Sequence, residues 1–223
     1  QYSNVTIQQN GRWDNAVTGL KPSYVYPDYL SYENNAKTVF NSGNQYRRFN
    51  TSNLNNRPEQ TKTVEMSKDY YVVTLYNDQK RNLYAYVDDE DLYGEKVIYL
   101  ERDDMAAATE ADYVMVEFFL DWYPVLTDQD MYIMGAITDW SLDEKNKMTY
   151  DFERKGYAIS LLLKQGYYDY IYAVKDKAQT KADVTPIAGD FWDTKNEYTI
   201  YLYLFNPTQN YDQLIGVKTV LSH

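Results

Sequence analysis

At 223 residues the chain is long enough for one large domain or two small ones, and its 44% hydrophobic and 25% charged residues suit a folded globular protein. A formal net charge of −11 argues against nucleic acid and anionic membrane surfaces as partners, because like charges repel. Cysteine is absent and the one histidine is the terminal His223, which excludes disulfide frameworks, thiol nucleophiles and multi-histidine metal sites and would hang any Ser-His-Asp mechanism on a chain end.

Along the chain, period-two alternation dominates. Gln1 leads almost directly into a strand-like run, and nothing resembles a signal peptide, so the sequence is expected to be a mature fragment whose targeting segment was lost upstream. The polar tracts around Ser42-Gly43-Asn44 and Asn50 to Asn56 are expected to be loops. Strands are then expected at Thr63–Met66, Tyr70–Tyr76, Leu83–Val87 and Lys96–Leu100. Asp103 to Ala111 has helical propensity but no apolar stripe. Further strands are expected at Tyr113–Leu120, Met131–Ile137, Lys147–Phe152, Tyr157–Leu163, Tyr168–Val174, Glu197–Phe205 and Gln213–Leu221. The 26 tyrosines fit sheet surfaces with one buried and one wet face, which suit a ring with a polar tip. No segment approaches the ~20 apolar residues needed to cross a bilayer.

The fold class that follows is all-β. Met105 to Thr109 separates two strand clusters, and the half after it is the more acidic. Two consecutive β-sandwich domains, 1–108 and 109–223, are therefore expected.

Chemistry-bearing patterns are few. The acidic run Asp88-Asp89-Glu90-Asp91 precedes Leu92-Tyr93-Gly94, but a calcium loop needs a further ligand and a closing Glu that do not follow. A charged hairpin turn in which Gly94 supplies positive φ is expected instead. No phosphate-cradling Gly-rich loop, Gly-x-Ser-x-Gly elbow or singular carboxylate pair stands out. The expectation is a non-enzymatic protein with no catalytic residue, no metal and no cofactor.

The most specific passage runs Met131-Tyr-Ile-Met-Gly135-Ala-Ile-Thr-Asp-Trp140, then Gly156-Tyr-Ala-Ile-Ser-Leu-Leu-Leu-Lys-Gln-Gly166 and Tyr167-Tyr-Asp-Tyr170-Ile-Tyr-Ala-Val174. It is expected to form a strand ending at Gly135, a turn presenting Trp140, and a hairpin reversing at Gly166. This order resembles the early-set immunoglobulin-like sandwich of glycogen-binding-type carbohydrate-binding modules. In that family a Trp at the Trp140 position stacks on sugar, a second Trp completes the platform, and a lysine of the following strand hydrogen-bonds the ligand. Here Ile171 stands at the lysine position, and Trp192 is the next tryptophan.

Across the whole chain a longer succession of motifs keeps one order: Asn10-Gly-Arg-Trp-Asp-Asn-Ala16, Phe40-x-x-Gly43-Asn44-x-x-Arg47-x-Phe49, Gly135-Ala-Ile-Thr-Asp-Trp140, Leu161-Leu-Leu-Lys-Gln-Gly-Tyr-Tyr168, Thr194-Lys-Asn-Glu-Tyr198 and Tyr211-Asp-Gln-Leu-Ile-Gly216. This succession resembles the type IX secretion system plug protein family of Bacteroidota, with Thr194-Lys195-Asn196 where members often carry Thr-Glu-Asn. The resemblance implies a longer protein with another β-sandwich before residue 1. It also implies a periplasmic protein at the outer membrane, partnered with the translocon barrel whose periplasmic mouth it seals. Candidate partner or glycan contacts are Trp13, Arg47 and Arg48, expected on turn- or loop-like segments, together with Trp140 and Trp192. A glycan-binding module using an aromatic face of the second domain is the alternative function.

Overall fold

The computed structural model describes residues 3–55, 58, 60–82, 91–101 and 111–222. Its strands in chain order are β1 (Ser3–Gln9), β2 (Val17–Leu20), β3 (Tyr24–Val25), β4 (Leu30–Ser31), β5 (Arg47–Asn50), β6 (Thr61–Met66), β7 (Tyr71–Leu75), β8 (Lys96–Ile98), β9 (Tyr113–Asp121), β10 (Gln129–Met134), β11 (Thr149–Asp151), β12 (Gly156–Lys164), β13 (Gly166–Asp176), β14 (Glu197–Asn206) and β15 (Tyr211–Leu221). Among the described residues helix is confined to single turns, and the protein is all-β. No helix among the described residues is long and apolar enough to cross a membrane. The expected strand Leu83–Val87 and the stretch Met105 to Thr109 lie outside the described residues, as does Asp103 to Ala111 apart from its last residue.

Residues 43–191 form one compact unit, a sandwich of two sheets. One sheet has the order β11-β12-β9-β7-β6, in which β7 and β9 run parallel; the other has β10-β13-β5, with β8 also paired to β13. Alternation decides what lies between them. Val114, Val116, Phe118 and Leu120 of β9 meet Tyr168, Tyr170 and Tyr172 of β13, with Phe49 of β5 and Met131 and Ile133 of β10 in the same core. Phe118 stands edge-on to both Phe49 and Tyr170 at centroid distances of 5.4 and 5.1 Å. The opposite face of β13 carries Ile171 and Ala173, which pack with Tyr46, Tyr132, Met134 and Ala188 in a second, smaller core. Tyr168 to Val174 is thus buried residue after residue, as strands covered on both faces are.

The hairpin expected at Gly166 is not formed. β12 pairs with β9 and β11, whereas β13 pairs with β10, β5 and β8, so the chain crosses from one sheet to the other within Lys164-Gln165-Gly166. A side chain at Gly166 would run into the Val97 carbonyl, so the crossing needs glycine there. The strand expected at Met131–Ile137 ends at Met134, because Ala136–Thr138 turns as a 3-10 helix. Arg47–Asn50, expected in part as loop, is a strand edge bonded to Tyr167–Tyr170.

Residues 1–42 and 192–223 form the other unit. It is one antiparallel sheet, order β15-β14-β1-β2, plus the two-stranded hairpin β3-β4. At the end of β1, Asn10 donates to Asn196 Oδ1 at 2.8 Å and accepts from the Glu197 backbone at 2.9 Å. Val5 and Leu20 are this unit's only buried hydrophobic residues among those described.

Two consecutive domains divided at 108/109 are therefore corrected. Strands β5 and β8 bond to β13 and β7 bonds to β9, while β1 bonds along its whole length to β14. Alternation marks a strand and its two faces, whereas its hydrogen-bonding neighbour is chosen by the folded topology. Among the described residues the first unit holds one four-stranded sheet and the hairpin β3-β4.

Because Phe118 is 2% exposed and held by two rings, Phe118→Ala should lower unfolding free energy by about 3–5 kcal/mol, measured by chemical denaturation.

Candidate functional site

Arg47, a candidate partner contact expected on a turn- or loop-like segment, lies on β5 with its side chain 11% exposed. Its Nη1 donates to Asp78 Oδ1 at 2.6 Å and its Nη2 to the Gln79 carbonyl. The same Asp78 accepts from the Tyr170 and Tyr172 hydroxyls at 2.7 and 2.8 Å. Burial, reinforced by that carboxylate, pushes both phenols well above the ordinary tyrosine range. The Asp78 backbone is itself bonded to Phe119 and Asp121, so one carboxylate ties the two sheets together. Arg47 is a structural cation of the sandwich, because its charge neutralises an acid at the core's edge.

Arg48, also on β5, is half-buried and lines a groove of about 630 Å³. Asn50, Asp91, Tyr99, Tyr167 and Asp169 line it as well. The Tyr99 and Tyr167 rings lie 5.9 Å apart at 33°. Beneath them Asp169 is fully buried, with Oδ2 accepting from the Leu92 and Gly94 amides at 2.5 and 3.2 Å. Its Oδ1 has no hydrogen-bond partner among the described residues. Burial raises the Asp169 carboxyl to about 6 against the pull of those two amides, and Asp91 adds to the rise. Asp91 is raised by burial too, while its oxygens accept from the Tyr46 and Tyr93 amides. Both acids thus hold backbone: they fasten the turn Asp91–Gly94 against β5 and β13.

Gly94 adopts φ +84 as expected for the turn, and a second reason for glycine is that the Trp140 ring lies on it. A Cβ there would come within 2.5 Å of Trp140 Cη2. Trp140 follows the 3-10 turn, stands edge-on to Tyr46 (5.8 Å, 79°) and packs on the second core. A ring so placed is a partly buried packing residue. Trp192, 81% exposed, belongs to the other unit. There Trp13, 62% exposed, stacks on Tyr201 at 5.9 Å and 23°. Asp88, Asp89 and Glu90 of the acidic run lie outside the described residues.

The sequence had marked Lys96–Leu100 and Tyr168–Val174 only as strands. That Tyr99 and Tyr167 share a groove depends on the pairing of β8 with β13, for which alternation carries no signal.

No protein-family model matches this sequence, and no curated protein matches it. Among solved structures, it is similar to that of a hypothetical protein from Parabacteroides merdae ATCC 43184. The two are 36% identical with a TM-score of 0.92. The match covers 100% of this chain and 55% of that one. This chain therefore spans about half the length of its neighbour.

Two outcomes test these assignments. Asp78→Ala leaves Arg47 without its carboxylate and should cost about 3–5 kcal/mol of stability, read from denaturant midpoints. Asp169 has a folded-state pKa above its unfolded value, so its contribution to stability is full below about 3.8 and is lost as pH rises through about 6. Unfolding free energy should therefore rise on acidification from pH 7 to pH 5, and Asp169→Asn should flatten that slope in denaturation series.

Proposed function

We propose that this chain is part of a non-enzymatic periplasmic interaction protein, resembling the plug that seals the periplasmic mouth of the type IX secretion translocon. The motif order in the sequence supports this reading, as does similarity to a protein from Parabacteroides, a member of the Bacteroidota. One observation carries the non-enzymatic part. The buried Asp169 and the half-buried Asp78 and Asp91 of the sandwich accept hydrogen bonds from the protein's own backbone, tyrosines and arginine, while large apolar side chains such as Trp192 face solvent. Groups engaged in this way position strands, and exposed aromatic residues on stiff sheets are the usual anchors of a protein interface.

A plug requires rigidity, area and reversible attachment, and no reacting group. A specific interface buries roughly 1,200–2,000 Å² in total, and a net charge of −11 would steer its formation toward basic partner surfaces. The packing of the Trp140 ring against Tyr46 and the second core counts against the glycan reading.

Tagged full-length protein should co-purify with the outer-membrane barrel from native membranes, and Trp192→Ala should weaken that capture. Absence of the barrel, or unchanged outer-membrane permeability after gene deletion, would defeat the proposal. Added salt should slow association more than dissociation. Calorimetry with maltooligosaccharides should record no binding heat.

A further inference from the structure

The groove of about 630 Å³ sits on one face of a sheet. The register sets Arg48 of β5 opposite Asp169 of β13, while Asn50 and Val97 both stand opposite Tyr167. Alternation turns all five away from the core that Tyr168 and Tyr170 fill. Asp91 and Leu92 of the adjoining turn wall it. Every lining residue lies within 43–191, so one unit alone forms the groove.

Its lining is of two kinds. Val97, Tyr99 and Tyr167, 38–47% exposed, give an apolar and aromatic floor. Beside them two carboxylates, Asp91 and Asp169, stand against one guanidinium, that of Arg48. Asp169 Oδ1 decides the chemistry. The side chain is fully buried and its Oδ2 takes both amides of the turn, yet Oδ1 has no hydrogen-bond partner among the described residues. A buried carboxylate oxygen without a donor is costly, and burial already disfavours this acid's charged form. Holding the turn employs Oδ2 alone, so the clamp leaves Oδ1 unexplained.

A ligand that suits this lining brings donors and a flat or apolar body. Anionic groups are repelled by the excess of carboxylates. A sugar ring would stack on tyrosine but adds acceptors where acceptors already predominate. A guanidinium has five N–H donors and no acceptor, stacks on aromatic faces and is weakly hydrated. Its methylene stem covers apolar surface such as Val97. We infer that the groove receives an arginine side chain of a partner protein, stacked on Tyr99 and Tyr167 with its guanidinium donating to Asp91 and Asp169. This rests on the interaction reading above and names one anchor of that interface, on the basic kind of surface toward which a net charge of −11 steers.

The test is a saturation-transfer NMR titration of the full-length protein with Nα-acetyl-arginine amide. Nα-acetyl-citrulline amide, of the same shape but uncharged, and maltose serve as comparison ligands. The arginine probe should receive saturation and bind at least about fivefold more tightly than the citrulline probe, because charge-assisted hydrogen bonds are about twice as strong as neutral ones. Tyr167→Ser and, separately, Asp169→Asn should each abolish that preference. Circular dichroism checks the fold of both variants, and the exposed Tyr167 decides if Asp169→Asn unfolds. No saturation of the arginine probe, equal binding of citrulline, tighter binding of maltose, or a preference that survives Tyr167→Ser would overturn the inference. No barrel enters this measurement, so its failure is distinguishable from a failure of the co-purification.

Discussion

Strand β13 is the constraint around which the larger unit is built. It is covered on both faces, so its odd and even residues serve different cores. Tyr168, Tyr170, Tyr172 and Val174 fill the space between the sheets, and Ile171 and Ala173 close a smaller core behind. Burying tyrosine in such a position is costly unless the hydroxyl is bonded. Asp78 meets that requirement for Tyr170 and Tyr172, and the Lys164 carbonyl for Tyr168. A carboxylate at the margin of a core in turn requires a cation, which is Arg47. The polar network is thus a consequence of placing tyrosines inside a sandwich.

The same strand explains the groove. Asp169 lies on the small-core face of β13, where it meets the turn Asp91–Gly94. Fixing that turn sets Trp140 over Gly94 and brings Tyr99 beside Tyr167. The raised pKa values of Asp91 and Asp169 follow from burial, which outweighs the downward pull of their backbone donors. Perturbed carboxylates often mark active sites, but here they accompany a structural clamp.

The smaller unit obeys a different logic. Its sheet is held by antiparallel ladders and by the Asn10–Asn196 exchange at one end, with Val5 and Leu20 alone as buried apolar residues among those described. Backbone hydrogen bonds contribute modestly net of water, whereas apolar burial supplies most of a fold's stability.

Alternation by itself determined the all-β class and placed most strands within a residue or two, from Thr61–Met66 to Tyr211–Leu221. It also foretold the left-handed turn at Gly94. Composition alone determined that cysteine and multi-histidine chemistry are absent. Only the tertiary structure decided that β1 pairs with β14, that β12 and β13 part company at Gly166, that Arg47 is bound to Asp78 and that Trp140 is packed. The physical reason is range. A side chain's alternation is set by its own backbone, whereas pairing, burial and charge neutralisation depend on residues far away in the chain that only the fold brings within reach.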